Sequence, residues 1–140
     1  MAVGGEKNNF TELYDIAKDE WKTRSSYPFA STVSETPIVY YDGGYFMFGG
    51  YGVDDTLVAR YDVTGDSWSH VGKLADGRYG HAVIRKDNDF MIVGGKGTQP
   101  TNVCRYQNSE MNCEKRDPFL WVYYLYPEVL AVDTDFCKET

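Results

Sequence analysis

The sequence predicts an all-β chain in which a unit of short antiparallel strands is repeated. Two observations predict this fold class. Glycine and tyrosine are abundant, with 14 and 12 copies among 140 residues, and glycine together with aromatic residues suits short strands linked by tight turns. In addition, the chain resembles itself when it is shifted by 45 to 47 residues, and a fixed period of this size indicates a repeat architecture.

The internal repeat is strongest around two diglycines that each follow an apolar segment. Seven of the thirteen residues at 49–61 are identical to their counterparts at 94–106. A shift of 47 aligns residues 14–21 with 61–68, and four of these eight positions are identical. The recurring landmarks are Gly4, Gly5, Tyr14, Trp21, Gly49, Gly50, Tyr61, Trp68, Gly94, Gly95 and Tyr106.

An apolar strand ending in Gly-Gly, then a loop, a Tyr-Asp pair and a Trp seven residues after the Tyr, resembles the kelch repeat. The period of that repeat is about 50 residues. The resemblance covers roughly residues 1–116 and implies a β-propeller of the galactose oxidase/kelch superfamily, in which each repeat forms a four-stranded antiparallel blade. We therefore expect about three blades in an incomplete ring, and whether the chain is a fragment of a longer propeller stays open.

The repeat divides the chain into four stretches. Residues 1–29 are expected to form a truncated blade, 30–75 and 76–117 one blade each, and 118–140 a degenerate C-terminal blade or a cap. The strands predicted in the truncated blade lie at 2–3, 12–16 and 20–23. Those of the second unit lie at 37–41, 45–48, 57–61 and 67–71, and those of the third at 80–85, 90–93, 102–106 and 112–114. Two further apolar runs occupy 119–126 and 129–132.

The repeated residues are interpreted as architectural, because a binding site would be unique rather than copied in each unit. Glycine supplies a positive φ and a close backbone approach where a strand ends. The repeated Tyr and Trp are expected to pack between blades, and Arg60 and Arg105 to anchor polar groups there. In the third unit the same spacing places Cys113 at the position of Trp68.

The charge balance excludes two classes of partner. Fourteen basic and 21 acidic residues give a net charge of -7, whereas nucleic acid and anionic membrane surfaces both require clustered Lys and Arg. The sequence also has no apolar run of the roughly 20 residues that a membrane helix needs, and no signal peptide is visible near Met1. We expect partners to be neither nucleic acid nor membrane.

The three cysteines leave the compartment open. If the hairpin between the third and fourth strands of the third unit centres on Asn108 and Ser109, Cys104 faces Cys113 and a disulfide can form. A centre one residue later would place the two cysteines diagonally. Reduced thiols favour a cytoplasmic protein and a bridge favours an extracellular one. Cys137 has no paired position in either arrangement.

No catalytic constellation is visible in the sequence, so we expect neither an enzyme nor a bound metal or cofactor. The two histidines, His70 and His81, fall on an outer strand and on an inner strand of the next blade, too far apart to share a metal. A nucleophile motif such as G-x-S-x-G is absent. The alternatives are a fragment of a galactose-oxidase-like propeller enzyme and a secreted structural kelch protein.

The resemblance to kelch proteins implies a protein-interaction module. Strand alternation places the loops between second and third strands, and those between blades, on one side of the propeller. These loops comprise residues 6–11, 24–27, 51–56, 73–79 and 96–101. The residues expected to bind a protein or peptide there are Arg24, Tyr51, Asp54, Asp55, Arg78, Lys96 and Gln99. Because propellers close with 4 to 8 blades, we also expect self-association through open blade edges.

Overall fold

A computed structural model describes residues 1–5, 8–30, 33–52, 54–97 and 101–116. The described residues form strands and turns without a helix, so the expected all-β class is confirmed. This part of the chain contains no helix with the length and hydropathy that a membrane crossing requires. Gln99 and the predictions made for 118–140, including Cys137, lie outside the described residues.

The strands form three blade-like sheets and a small ribbon. Blade 1 contains β1 (Ala2–Val3), β2 (Thr11–Asp15) and β3 (Glu20–Arg24). Blade 2 contains β4 (Ile38–Tyr41), β5 (Gly44–Phe48), β6 (Leu57–Asp62) and β7 (Ser67–Lys73). Blade 3 contains β9 (Ala82–Lys86), β10 (Asp89–Val93), β12 (Thr101–Gln107) and β13 (Glu110–Arg116). The ribbon pairs β8 (Arg78–Tyr79) with β11 (Lys96–Gly97).

Neighbouring strands within each blade are antiparallel and follow chain order. Blades 2 and 3 join into one eight-stranded sheet through a single parallel pair, Met111 with Gly72. This pair connects the start of one outer strand to the end of the preceding one. The arrangement is an incomplete β-propeller-like fold.

The diglycines allow the backbone to approach closely at the end of each second strand. Gly49 and Gly50 have φ values of 57° and 118°, which side chains disfavour. The amide of Gly50 donates to the carbonyl of Arg78 at 3.0 Å, and a Cβ on Gly49 would overlap that same carbonyl. This close approach ties the loop after β5 to the chain that enters blade 3.

Blade 2 is buried on both sides, and we name its two faces by the blade that each contacts. The forward face packs on blade 3 and consists of Val39, Tyr41, Phe46, Phe48, Val58 and Arg60. The rear face packs toward blade 1 and includes Tyr45, Met47, Ala59, Tyr61 and Trp68. In blades 1 and 3, the forward and rear faces consist of the residues at the equivalent positions of the repeat.

The interface between blades 2 and 3 is aromatic. The Phe46 ring lies 4.8 Å from that of Tyr106 and 5.6 Å from that of Phe90, measured between centroids. Tyr41 lies 5.8 Å from Phe90, and its hydroxyl donates to Asn88 at 2.8 Å. Such tilted and edge-on aromatic pairs contribute about 0.5–1.5 kcal/mol each beyond their buried area.

The interface between blades 1 and 2 depends on Trp68. Its indole nitrogen donates to Thr11 Oγ1 at 3.1 Å and to the carbonyl of Ser25 at 3.0 Å. The Ser25 amide in turn donates to the carboxylate of Asp66 at 2.9 Å, and that carboxylate also accepts a bond from the Tyr61 hydroxyl at 2.5 Å. The Tyr and Trp landmarks of the second unit therefore join two blades.

The third unit departs from the predicted alignment. Tyr61 is opposite Trp68 across a four-residue turn, whereas Tyr106 is opposite Met111 because its turn has only Asn108 and Ser109. Met111, rather than Cys113, thus occupies the position of Trp68. Both turn residues have positive φ, 54° and 65°, as a type I′ hairpin requires.

This shorter turn also aligns the cysteines. Cys104 and Cys113 are direct cross-strand partners, their Cα atoms are 4.0 Å apart, and a disulfide joins them. Three residues from the hairpin closure, they form a non-hydrogen-bonded pair, the type in which facing side chains are closest. The bridge lies beside Phe90 in the core between blades 2 and 3.

The two repeated arginines bond within their own blades rather than between blades. Arg60 donates to the carbonyl of Asp42 at 2.8 Å. Arg105 forms a bidentate pair with the Asp89 carboxylate at 2.6 and 2.7 Å. Each of these contacts lies within one blade, between neighbouring strands or between a strand and the adjacent turn. The expectation that Arg60 and Arg105 anchor polar groups between blades is therefore wrong.

Candidate interaction face

The loops that follow second strands and those that connect blades meet on one side of the molecule. Tyr51 comes from the loop after β5, Tyr79 from β8 and Lys96 from β11. The two tyrosine rings are 5.3 Å apart in an edge-on contact, and the Lys96 ammonium lies 5.8 Å from the centre of the Tyr79 ring. We call these three residues the tyrosine–lysine cluster.

Backbone hydrogen bonds hold the cluster in place. Tyr51 and Ser34 exchange two bonds, at 2.8 and 3.1 Å, and Tyr79 pairs with Lys96 in the ribbon of β8 and β11. Gly80 donates to the carbonyl of Glu35 at 2.8 Å, which connects the ribbon to the chain entering blade 2. The cluster is therefore a preformed surface contributed by two blades.

The cluster is accessible as well as ordered. Tyr51 is 59% exposed, Lys96 is exposed and Tyr79 is half-buried. Sequence reasoning predicted Tyr51 and Lys96 and placed the loop 73–79 on this side, but it did not select Tyr79 among the residues expected to bind a partner.

Acidic residues lie in the same loop as Tyr51. Asp54 accepts bonds from the Thr56 amide and hydroxyl and from the Lys73 ammonium at 3.0 Å. The Thr56 bonds, followed by those of Lys73, lower the pKa of Asp54 to about 2. Asp55 is also exposed, and its backbone carbonyl accepts a bond from the Arg78 amide at 2.9 Å. The loop that carries Tyr51 therefore also carries two exposed carboxylates.

The structure places two predicted arginines away from this surface. Arg78 is only 3% exposed, and its guanidinium donates to the carbonyl of Gly94 at 3.3 Å. Arg24 lies at the blade 1–blade 2 interface, where its charge acts on Tyr61 and Asp66. Their exposure could not be read from the sequence because it depends on how neighbouring blades pack.

The two histidines are in separate environments. His70 is exposed on β7 and its Nε2 lies 2.8 Å from the carbonyl of Gly72. His81 precedes β9 instead of lying within the predicted strand, and it is buried. Burial and the positive charge of Arg78 lower the pKa of His81 to about 3. Among the described residues, no three His, Cys, Asp or Glu side chains are grouped as metal ligands would be.

Comparison with known proteins supports the fold alone. No family model matches the chain, and no curated protein matches it. Among solved structures, the one titled "Structure of YjhT" aligns with a TM-score of 0.52 and 18% sequence identity. The alignment covers 61% of this chain and 27% of that chain, so this chain spans about a quarter of the length of that protein.

Proposed function

We propose that this chain is a non-catalytic, kelch-type repeat protein that binds a protein or peptide through its loop face. The observation that carries the proposal is the tyrosine–lysine cluster, an exposed and preformed surface built from two blades. Tyrosine rings supply a large contact area at low conformational cost, and aromatic residues are enriched at the energetically important centres of interfaces.

The chemistry of the face suggests the type of segment that it would bind. The exposed ring of Tyr51 offers an apolar surface, and Asp54 and Asp55 add exposed carboxylates in the same loop. A peptide with an aromatic or aliphatic anchor flanked by Lys or Arg matches both features. The net charge of -7 favours the approach of such a basic segment.

The proposal is tested by selecting binders from a displayed random peptide library against the full chain. The selected peptides are then titrated against Tyr51→Ala and against Tyr40→Ala, which removes a tyrosine of similar exposure, 57%, on β4. We expect Tyr51→Ala to weaken binding by about 30-fold, the effect of losing one central aromatic anchor. Peptides that bind both variants equally well would count against this face.

The variants are chosen to leave the fold intact. Arg78 is excluded because removing a buried guanidinium would disturb the packing as well as the surface. Lys96→Glu is a second variant on the face, and it reverses a charge without removing a buried group. Lys96→Glu should not reduce the affinity for basic peptides, because the new carboxylate adds to the acidic charge of the face. A loss of affinity in Tyr51→Ala but not in Lys96→Glu therefore assigns the loss to the aromatic ring.

A further inference from the structure

Two blade faces have no partner among the described residues. The rear face of blade 1 carries Tyr14 and Trp21, and Trp21 is 56% exposed. The forward face of blade 3 carries Met91, which is 40% exposed, and Val103. Exposed apolar residues grouped on a sheet face are a common mark of an interaction surface.

The two faces are the matching halves of an interface that the chain already makes twice. In each internal interface, the forward face of one blade packs on the rear face of the next. The rear-face position of Tyr14 is that of Tyr61 and Tyr106, since all three are paired with the residue at the Trp68 position. The forward-face positions of Met91 and Val103 are those of Phe46 and Val58.

The forward face of blade 3 has a depression at the position that corresponds to the Trp68 contact on the forward face of blade 1. It has a volume of about 360 Å³ and is lined by Val103, Arg105, Asn112, Glu114, Asp89 and Cys113. In blade 1 the position of Val103 is occupied by Thr11, and Trp68 donates its indole N–H to Thr11 Oγ1. The forward face of blade 3 therefore has a cavity at the position that a tryptophan fills in the blade 1–blade 2 interface.

We propose that the forward face of blade 3 binds the rear face of blade 1 in a second copy of this chain. Trp21 of one copy enters the depression beside Val103 of the other. Two such contacts related by a two-fold axis join the three described blades of each chain. The resulting six blades fall within the 4 to 8 with which propellers close.

The paired side chains are chemically matched. Phe46 contacts Tyr106 inside the chain at 4.8 Å, and the same positions between copies bring Met91 to Tyr14, a favourable sulfur–aromatic pair. In the internal interface the rings of Tyr41 and Tyr106 are 6.4 Å apart. Lys86 in blade 3 occupies the position equivalent to Tyr41 in blade 2, next to the turn between the first two strands of the blade. Lys86 thus meets Tyr14 as a cation over an aromatic ring.

Sedimentation of the full 140-residue chain at micromolar concentration tests the proposal. The wild-type chain should sediment as a dimer of twice its 15.9 kDa mass. Trp21→Arg and Met91→Arg should each raise the dissociation constant by at least about 30-fold per contact. Tyr40→Arg alters an exposed aromatic residue on β4 of blade 2, outside both faces, and it should leave the dimer intact.

Mixing the two variants tests the head-to-tail geometry. Trp21→Arg retains an intact forward face and Met91→Arg retains an intact rear face, so an equimolar mixture should recover a dimer with one unaltered contact. This recovery also shows that both variants are folded. The proposal is overturned if the wild-type chain is monomeric. It is equally overturned if Met91→Arg alone remains a dimer, or if the mixture stays monomeric.

Discussion

The buried His81 makes a specific prediction about stability in mild acid. Burial and the charge of Arg78 lower its pKa to about 3 in the folded chain, while an unfolded chain has the ordinary value near 6.5. The unfolded state therefore binds an extra proton between pH 6.5 and pH 3. The stabilisation from a neutral His81 is fully present above pH 6.5 and is lost progressively as the pH falls through this window.

The magnitude follows from linkage between the two pKa values. At pH 5 the unfolded histidine is mostly protonated and the folded one is not, which costs about 2 kcal/mol relative to pH 7. This loss is a large fraction of the 5–15 kcal/mol that stabilises a typical domain. Carboxylates with lowered pKa, such as Asp54 and Asp66, lose their contribution to stability mainly below about pH 5.

Urea unfolding at pH 7 and pH 5, followed by tryptophan fluorescence at one protein concentration, measures the effect. The wild-type chain should lose about 2 kcal/mol of unfolding free energy, and His81→Leu should remove most of that difference. His70→Gln changes the exposed histidine and should retain it. An unchanged loss in His81→Leu would refute the reasoning, because the pH dependence would then belong to other groups.

Three further predictions concern the contacts between and within blades. Trp68→Ala should lower the unfolding free energy by about 3 kcal/mol in urea titrations, the low end of the range for this substitution because Trp68 is half-buried. An effect as small as that of Tyr40→Ala would contradict its role between blades. Replacing both Cys104 and Cys113 by serine should cost about 3 kcal/mol by the loop-entropy estimate for a nine-residue separation. Mass measurement after alkylation should find the bridge, and three free thiols would exclude it. Gly72→Ala should lower the melting temperature by an amount equivalent to about 1–3 kcal/mol, because its Cβ would overlap the Met111 carbonyl. Gly43→Ala is the control for crowding, because a Cβ there meets open space. The positive φ of Gly43 adds a separate backbone cost to that control.

Strand positions were largely predictable because the repeat fixes them. Predicted strands at 57–61 and 45–48 agree with Leu57–Asp62 and Gly44–Phe48 within one residue at each end. The third unit was harder, since its turn at 108–109 is two residues shorter than the equivalent turn at 63–66. A fixed spacing from Tyr106 therefore selected Cys113 when the facing residue is Met111.

The candidate site was only partly predictable from the sequence. Loop membership identified Tyr51 and Lys96, which meet around Tyr79. It did not identify the burial of Arg78, because that depends on the Gly94 carbonyl, which another loop supplies. Loop membership repeats from unit to unit and could be predicted from the sequence. The burial of a side chain by contact between units could be determined only from the structure.

The central claim is that the repeats stack as blades, each forward face on the next rear face. Nuclear Overhauser contacts of the Trp68 indole N–H test this claim most directly. The structure predicts contacts with Thr11 and Ser25, which lie 57 and 43 residues away in the chain. Contacts confined to the β6–β7 hairpin that contains Trp68 would contradict the stacking of blade 1 on blade 2.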